Sequence, residues 1–273
     1  MELPVAPQQH QPDAATLVRA IRRADVILAR TAAEETELSG ATAYTNPARP
    51  GVHMANFAAE VRVPEGQTPQ QVVDEVEEHF QHQGVLCHAL VANDSAWSPA
   101  LVQTLEARGY VRSGACDVCL LGRYVPPTIP LPPIQIIPAR SLYPQLREFH
   151  RRAAREQEDA DETLAEQLTQ TRIDHLDEPR LEVFCGRIDQ AIAGLVAIVT
   201  LGNIGVIDDV YTAPAFRGRG VATRLLDYAI DHCARAMFQS VILEVRQSDA
   251  PARRLYESLG FCAVASHHKY VRG

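Results

Sequence analysis

The chain has 273 residues, of which 46% are hydrophobic and 22% are charged, and its formal net charge is -8. This length allows one large domain or two small ones, and the apolar content suffices for two separate cores. The acidic balance argues against a nucleic-acid-binding protein, which favours a basic patch. No apolar run approaches the roughly 20 residues of a membrane-spanning helix, and residues 1–13 lack the pattern of a signal peptide. We therefore expect a soluble cytoplasmic protein.

The first part of the chain alternates predicted helices and strands. The pattern predicts a helix over 14–37, a strand over 56–63, a helix over 69–83, a strand over 85–92, a helix over 99–108 and a final strand after Gly109-Tyr110. Residues 123–134 then contain five prolines, a composition typical of a semi-rigid spacer with polyproline II geometry. We therefore predict a first domain over 1–122, a proline-rich linker over 123–133 and a second domain over 134–273.

The second part has a regular alternation of strands and helices. The predicted elements are strand 134–138, helices 143–157 and 160–175, strands 181–187, 191–201 and 204–212, helix 222–237, strand 241–246, helix 250–259, and one or two strands within 261–271. This order is typical of an α/β fold (α+β) with a mixed sheet packed by helices. Both parts share the order strand, loop, helix, strand, helix, Gly-aromatic, strand, which indicates a weak internal repeat.

A glycine-rich loop, Pro-Ala-Phe-Arg-Gly-Arg-Gly-Val-Ala at 214–222, connects a predicted strand to a predicted helix. Gly218 and Gly220 permit backbone conformations that side chains forbid, so that several N–H groups can turn toward one point. The helix that follows adds the partial positive charge of its N-terminus, and Arg217 and Arg219 add charge-assisted contacts. The loop therefore predicts a diphosphate-binding site, although it matches neither the Rossmann pattern nor the nucleotide-triphosphate loop.

Two motifs resemble those of the GNAT acetyltransferase superfamily. Residues 217–222, Arg-Gly-Arg-Gly-Val-Ala, resemble the signature Arg/Gln-x-x-Gly-x-Gly/Ala. Residues 249–261 resemble the second motif, usually Asn-x-x-Ala-x-x-Leu-Tyr-x-x-x-Gly-Phe, and they match it at Ala252, Leu255, Tyr256, Gly260 and Phe261. Asp249 stands where that motif has asparagine. The resemblance covers about 134–273 and implies a GNAT fold, in tandem with a degenerate first copy.

The resemblance also implies a site for acetyl-CoA in a V-shaped gap between the strands 204–212 and 241–246. The backbone of Val210, Tyr211 and Thr212 would hold the pantetheine arm. The resemblance assigns the contacts with the pyrophosphate and the adjoining parts of the cofactor to nine residues. They are Arg217, Gly218, Arg219, Gly220, Val221, Ala222, Thr223, Asp249 and Ala252. Tyr256 would protonate the departing thiolate, and no metal is implied. A phenol of pKa about 10 is a suitable donor for that step.

The acceptor amine must lose a proton before it attacks the thioester. Asp208 and Asp209 are the candidate bases, and Glu244 on the neighbouring strand is a weaker one. On a regular strand the two aspartates point to opposite faces, so that only one of them enters the cleft, unless a bulge changes the alternation. The alternative is that both are solvated carboxylates. Transfer would be direct, with the oxyanion stabilised by backbone N–H groups.

The first half lacks both chemical features of the second. The segment 64–69 has one glycine and no arginine, and the alignment of Gly109 with Gly260 places Leu105 where Tyr256 stands. We expect 1–122 to bind no cofactor and to shape the acceptor pocket or a homodimer interface. The sequence thus predicts one site per chain, for an acetyl-CoA-dependent N-acetyltransferase acting on a small or peptide-like primary amine. The alternatives are a non-catalytic acetyl-CoA sensor, a longer acyl donor and a hydroxyl acceptor.

Four other features are interpreted as structural. Cys116 and Cys119 point to opposite faces of a predicted strand, which does not suit a metal or redox pair. His267 and His268 are interpreted as surface residues, and Trp97 and Tyr110 as core residues. The acidic segment 156–166 is interpreted as a solvated helix face, with recognition of a cationic acceptor as the alternative.

Overall fold

A computed structural model of the protein describes residues 12–92, 97–128, 130–157 and 159–273. Most of the N-terminal segment 1–13, which we expect not to be a signal peptide, lies outside these residues. Glu158 of the acidic segment 156–166 also lies outside them. The first half contains α1 (Ala14–Ala32), β1 (Glu34–Glu37), β2 (Thr42–Thr45), β3 (Phe57–Ala59), α2 (Pro69–His82), β4 (Ala89–Leu90), α3 (Pro99–Ala107), β5 (Tyr110–Arg112) and β6 (Cys116–Leu121). No helix among the described residues is long and apolar enough to cross a membrane.

The second half follows the predicted order of elements closely. It contains β7 (Gln135–Pro138), α4 (Tyr143–Gln157), α5 (Glu162–Asp174), β8 (Leu181–Ile188), β9 (Ala191–Leu201), β10 (Ile204–Thr212), α6 (Val221–Arg235), β11 (Ser240–Arg246), α7 (Ala250–Ser258), β12 (Phe261–His267) and β13 (Tyr270–Arg272). The turn expected near Asp189 has positive φ angles at Asp189 and Gln190, 47° and 70°. This geometry joins β8 and β9 as a tight hairpin.

These strands form two mixed sheets, and each sheet contains one strand from the other half of the chain. The first sheet has the order β1-β2-β3-β4-β13-β5, and the second has the order β12-β6-β11-β10-β9-β8-β7. Strand β13 lies between β4 and β5, while β6 lies between β11 and β12. We call β6 and β13 the exchanged strands. Apart from the additional β7, the two sheets have the same strand order, which strengthens the evidence for an internal repeat.

The exchange bears on where the two halves divide. The predicted boundary at 122/123 follows β6 directly, yet β6 is paired on both sides within the second sheet. The division into 1–122, 123–133 and 134–273 therefore stays a proposal about domains, since the sheets do not follow it strand for strand. The linker itself is anchored at its start, where the N–H groups of Gly122 and Val125 donate to the carbonyls of Gly260 and Leu259.

The helices and strands predicted from local sequence were least accurate in the first half of the chain. The helix predicted over 14–37 ends at Ala32, and Glu34–Glu37 pairs antiparallel with Thr42–Thr45. The strand predicted over 85–92 is limited to Ala89–Leu90. Glutamates are good helix formers, but here edge pairing in the sheet overrides that preference.

Helix α1 joins the two halves through its packing. Its apolar face, which includes Leu17, Ile21 and Leu28, packs against strands of the second sheet, among them Val118 of β6 and Ile242 of β11. Helices α6 and α7 form a separate core with other strand residues of the same sheet. Helix α1 therefore lies over the second sheet although it precedes the first sheet in the chain.

The two aromatic residues interpreted as core lie in the first half. Tyr110 is 1% exposed, and Trp97 packs at the edge of the same apolar cluster, 4.9 Å from the ring of Tyr270 on exchanged strand β13. Both are core residues, as the sequence predicted.

Candidate active site

A cleft opens where strands β10 and β11 separate. The two strands pair in parallel from Ile204 with Ser240 to Ile207 with Leu243. Beyond this point β10 continues beside β9 to Thr212, whereas β11 continues beside β6 to Arg246. The insertion of β6 on the far side of β11 gives that strand a new partner as it leaves β10. The cleft lies where the sequence predicted a V-shaped gap.

A β-bulge interrupts β10 at the mouth of the cleft. Asp208 is paired with Ala197 and Tyr211 with Leu195, so β10 has one more residue than β9 between these pairs. Asp209 has a φ of 45°, in the left-handed region that few residues other than glycine adopt. The segment Asp209–Val210 therefore does not follow the regular pairing of the strand. Its backbone N–H groups do not alternate in direction as they would in a regular strand.

Asp208 lies in the cleft among other carboxyl groups. Its residue surface is open to solvent, while surrounding protein atoms partly desolvate the carboxylate. This desolvation raises the pKa of Asp208 to about 7, and repulsion from Asp209, Asp25 and Glu244 contributes to the rise. A carboxyl group with a pKa near neutrality is well suited to accept and release a proton at physiological pH.

Asp209 has different surroundings from Asp208. Its charge acts on two buried imidazoles, His150 of α4 and His175 just after α5, which are 4% and 7% exposed. Burial lowers the pKa of each histidine to about 4, and Asp209 offsets only part of this effect. Both rings are therefore neutral at physiological pH, and the two aspartates influence different groups.

The glycine-rich loop leads from β10 to α6 with its basic side chains exposed. Arg217 donates from Nε to the Thr212 carbonyl at 3.1 Å, and its guanidinium carbon lies 5.9 Å from the centre of the Tyr211 ring. The guanidinium of Arg219 lies 5.7 Å from the Phe216 ring. These contacts hold the two arginines on either side of the loop while their charges stay accessible.

The start of α6 has no side-chain cap. Gly218 and Gly220 have φ angles of 71° and 77°, and Gly220 occupies the N-cap position, where it has no side chain to accept from the first turn. Val221 is buried at 1% exposure, which fixes the first turn against the core, while Ala222 and Thr223 are half-buried. The first N–H groups of α6 are thus left for an external anion, and this arrangement fits the diphosphate of a coenzyme.

Comparison with known proteins identifies this region. Residues 142–261 match the sequence profile of the Acetyltransferase (GNAT) family. The C-terminal part of the chain is a GNAT-family domain. The matched range contains α4 through α7 and therefore both the bulged strand β10 and the glycine-rich loop.

Solved structures extend the similarity to almost the whole chain. A GCN5-related N-acetyltransferase from Kribbella flavida aligns with a TM-score of 0.64 at 15% identity, over 96% of this chain and 97% of that one. A functionally unknown conserved protein from Staphylococcus epidermidis ATCC 12228 aligns with a TM-score of 0.61 at 16% identity, over 88% of this chain and 94% of that one. These similarities establish a shared fold that includes both sheets. No curated protein sequence matches the chain.

Helix α7 of the GNAT domain carries Tyr256 and is preceded by its N-cap residue, Asp249. Tyr256 is 8% exposed, and burial raises the pKa of its phenol to about 12, with further contributions from the charges of Asp249 and Asp208. Asp249 caps the helix by accepting from the N–H of Ala252 at 3.0 Å. The residue that departs from the family motif therefore has a structural role as a helix cap.

The interpretation of His267 as a surface residue is wrong. His267 is 4% exposed, and its Nε2 lies 2.8 Å from Oε2 of Glu244. It is buried because it ends β12 beside exchanged strand β6 and beneath α1, which no local pattern indicates. Arg22 of α1 contacts the same ring from Nη2 at 2.7 Å from Nδ1. One sequence feature could have indicated a buried polar partner: the charged residue Arg22 interrupts the apolar face of α1 directly after Ile21.

A cavity of about 700 Å³ lies between the two halves beside the cleft. Its walls include Asp25 of α1, Phe57 of β3, Glu244 of β11 and His267 of β12. Elements of both sheets thus contribute to one cavity, next to the point where β10 and β11 separate.

The acidic segment after α4 is largely neutralised by arginines. Glu162 is ion-paired with Arg155, and Glu166 with Arg147. Glu156 accepts from the Tyr211 hydroxyl at 2.8 Å. The segment spans the end of α4 and the first turns of α5 rather than one helix face, and these pairings weaken the case that it recognises a cationic acceptor.

Proposed function

We propose that the protein is an acetyl-CoA-dependent N-acetyltransferase in which a primary amine attacks the thioester directly, within the cleft between β10 and β11. The observation that carries this proposal is the combination of an uncapped helix start at Gly220 with an adjoining cleft that contains Asp208. The first can hold the coenzyme and the second can accept a proton. Membership of the C-terminal part in the GNAT family supports the same chemistry.

The residues that would hold acetyl-CoA form a continuous path along β10 and into α6. The backbone of Val210, Tyr211 and Thr212 faces the cleft beyond the last β10–β11 pair and would hold the pantetheine arm. The pyrophosphate would lie against the N–H groups of Gly218 to Thr223, with the charges of Arg217 and Arg219 nearby. When bound, acetyl-CoA supplies an acyl group activated as a thioester.

Asp208 would act as the base for the acceptor. An amine of pKa near 10 is mostly protonated at neutral pH, so its proton must be removed before it can act as a nucleophile. Because its pKa is raised to about 7, Asp208 can accept the proton near neutral pH, directly or through water. The N–H group of Val210, in the bulge, would stabilise negative charge on the thioester oxygen.

Tyr256 would assist departure of the coenzyme thiolate. Its pKa of about 12 means that the hydroxyl keeps its proton at neutral pH. A thiol has a pKa of about 8.5, so complete transfer from so weak an acid is unfavourable. We therefore assign Tyr256 the role of a hydrogen-bond donor to the developing thiolate, which is narrower than that of a general acid.

The decisive experiment follows acceptor-dependent release of free thiol from acetyl-CoA across a panel of amines. Exposed Cys262 reacts with thiol reagents, so the background without acceptor is subtracted. Asp208→Asn should lower the rate at least 100-fold without a change in acetyl-CoA affinity. Asp231→Asn, which removes an exposed carboxylate paired with Arg235 on α6, is the charge-matched control and should retain full activity.

The pH dependence provides a second criterion. Because the base must be ionised, kcat/KM should rise with pH through about 7 and level off above it. If acetyl-CoA binds in calorimetry but no amine or hydroxyl in the panel releases thiol from it or from longer acyl-CoAs, the protein is a coenzyme-binding sensor and the proposal is wrong.

A further inference from the structure

Arg22 of α1 is a buried cation that reaches from the first half of the chain into the GNAT domain. It is 7% exposed, and its Nη2 donates to the carbonyl of His268 at 3.2 Å as well as contacting the ring of His267. Burial of an arginine costs free energy unless its charge is compensated. Its position within the apolar face of α1 therefore requires partners: Nη2 contacts the end of β12, whereas Nε is buried without a hydrogen-bond partner among the described residues.

The contact with Arg22 determines which nitrogen of the His267 ring carries the proton. A guanidinium has only donors, so Nδ1 of His267 must be the acceptor in the 2.7 Å contact. The proton of a neutral ring then resides on Nε2, which lies 2.8 Å from the Glu244 carboxylate. The three side chains thus form a chain from α1 through β12 to β11, which ends at the cleft.

Glu244 remains ionised because of this chain. Burial by itself raises the pKa of Glu244, but the contacts with His267 and Cys116 and the charge of Arg22 together lower it below its ordinary value. Glu244 follows Leu243, the last residue of β11 that pairs with β10. A fixed negative charge is therefore held at the point where the cleft opens.

Asp25 of α1 adds a second carboxylate to the same cavity. Its side chain is 48% exposed, and Nη1 of Arg22 lies 3.9 Å from Oδ2. Desolvation and repulsion from Glu244 raise the pKa of Asp25 above its ordinary value, although positive charges nearby oppose the rise. The charged and titratable groups that act on Asp25, Asp208 or Glu244 from the surrounding elements are Arg22, Cys116, Asp209, His267 and Lys269.

We propose that Arg22 and Asp25 of α1 are positioning residues of the acyl-transfer site: Arg22 fixes His267 against Glu244, and Asp25 places a carboxylate beside Glu244 in the cavity that adjoins the cleft. This inference rests on the proposed function of Asp208. It gives the first half of the chain a part in the chemistry, since its helix α1 controls the charges that surround the base.

The first test is the pH profile of kcat/KM for Asp25→Asn. Removal of a neighbouring negative charge makes ionisation of Asp208 easier, so the rising limb should move to lower pH, by about half a unit. The charge-matched control Asp231→Asn should leave the limb in place. A merely structural role of Asp25 would change the rate or the melting temperature without moving the limb. An unmoved limb for Asp25→Asn would overturn the proposal.

The second test needs neither acetyl-CoA nor an acceptor. The carboxyl carbon of Asp208 is followed by NMR during a pH titration of the free protein, and its signal is assigned by its loss in Asp208→Asn. The midpoint should fall in Asp25→Asn and stay constant in Asp231→Asn. If this shift is seen while no acceptor is ever turned over, the proposed function fails but the electrostatic coupling stands.

The ring nitrogens of His267 report separately on Arg22. Nitrogen shifts of the ring should show a neutral ring protonated at Nε2 in the wild-type protein, and Arg22→Met should abolish that preference. Arg22→Lys retains a donor and should restore it at least in part. If Arg22→Met does not fold, the wild-type tautomer and the Lys variant still decide the matter, because a proton on Nδ1 contradicts the role of Arg22.

Discussion

Helices α2 and α6 occupy corresponding positions in the two sheets, but they begin in opposite ways. Helix α2 follows β3 and starts with a capping box, in which the Thr68 side chain accepts from the N–H of Gln71 and the Gln71 side chain accepts from the N–H of Thr68. Pro69 removes another donor from its first turn. Helix α6 follows β10 and starts at Gly220 without a side-chain cap. The first N–H groups of α6 are thus left without a side-chain partner, whereas the start of α2 already has one.

The helix that follows in each repeat shows a second difference. Tyr256 of α7 has a counterpart in Leu105 of α3, which is fully buried in the apolar core of the first half. A leucine at this position contributes packing and has no proton to donate. The first half therefore has the architecture of the repeat without its chemistry.

The largest expected effect concerns the two glycine turns. Gly220→Val forces a β-branched residue into a φ of 77°, with its Cβ 3.2 Å from Cδ of Pro132, and should reduce acetyl-CoA affinity at least tenfold in calorimetry. Gly66→Val is the matched control, because Gly66 has a φ of 82° in the corresponding loop and open space around it. Each substitution should cost about 1 to 3 kcal/mol of stability. Equal affinity in the two variants would contradict the assignment of the phosphate site to α6.

An intermediate effect is expected at the second difference between the repeats. Tyr256→Phe removes the hydroxyl that would stabilise the thiolate, and turnover should fall about 10- to 100-fold while acetyl-CoA affinity changes little. Tyr228→Phe on α6 is the control, since that ring packs against Phe184 at a centroid distance of 5.0 Å in the domain core. Single-turnover kinetics would locate the loss in the chemical step, and an unchanged rate in Tyr256→Phe would remove its proposed role.

The smallest effect is expected at the capped helix. Thr68→Ala removes the capping box of α2 and should lower the free energy of unfolding by about 1 kcal/mol, as measured by chemical denaturation. The acetyl-CoA affinity of this variant should equal that of the wild type, because we propose that the coenzyme binds at the start of α6 and not at α2. A loss of affinity in Thr68→Ala would show that the α2 terminus takes part after all.

The order of elements in the second half could be predicted because its signals are local. The four-residue spacing from Val221 to Cys233 marks the buried face of α6, and the positive φ angles of Gly218 and Gly220 agree with the role given to glycine in the loop. The position of Asp208 at a bulge was only one of two alternatives from the sequence, since an extra residue in a strand leaves no pattern of its own.

The pairing of the exchanged strands could not be predicted, because it depends on contacts between distant parts of the chain. The alternation of Cys116–Leu121 fits either sheet equally well, and only the three-dimensional structure shows that β6 separates β11 from β12. The burial of His267 follows from that pairing and from the approach of Arg22. Residues whose environment is created by two remote segments are those for which local patterns are least informative.

The exchange of strands has a consequence for how the protein is made. The first sheet is completed only by residues 270–272, so its β4 and β5 edges stay unpaired on the ribosome until the second half has been synthesised. Contacts that span most of the chain slow folding, because a long loop must close before they form. We therefore expect neither half to fold when it is produced alone, and we expect deletion of 270–273 to expose two strand edges and promote aggregation.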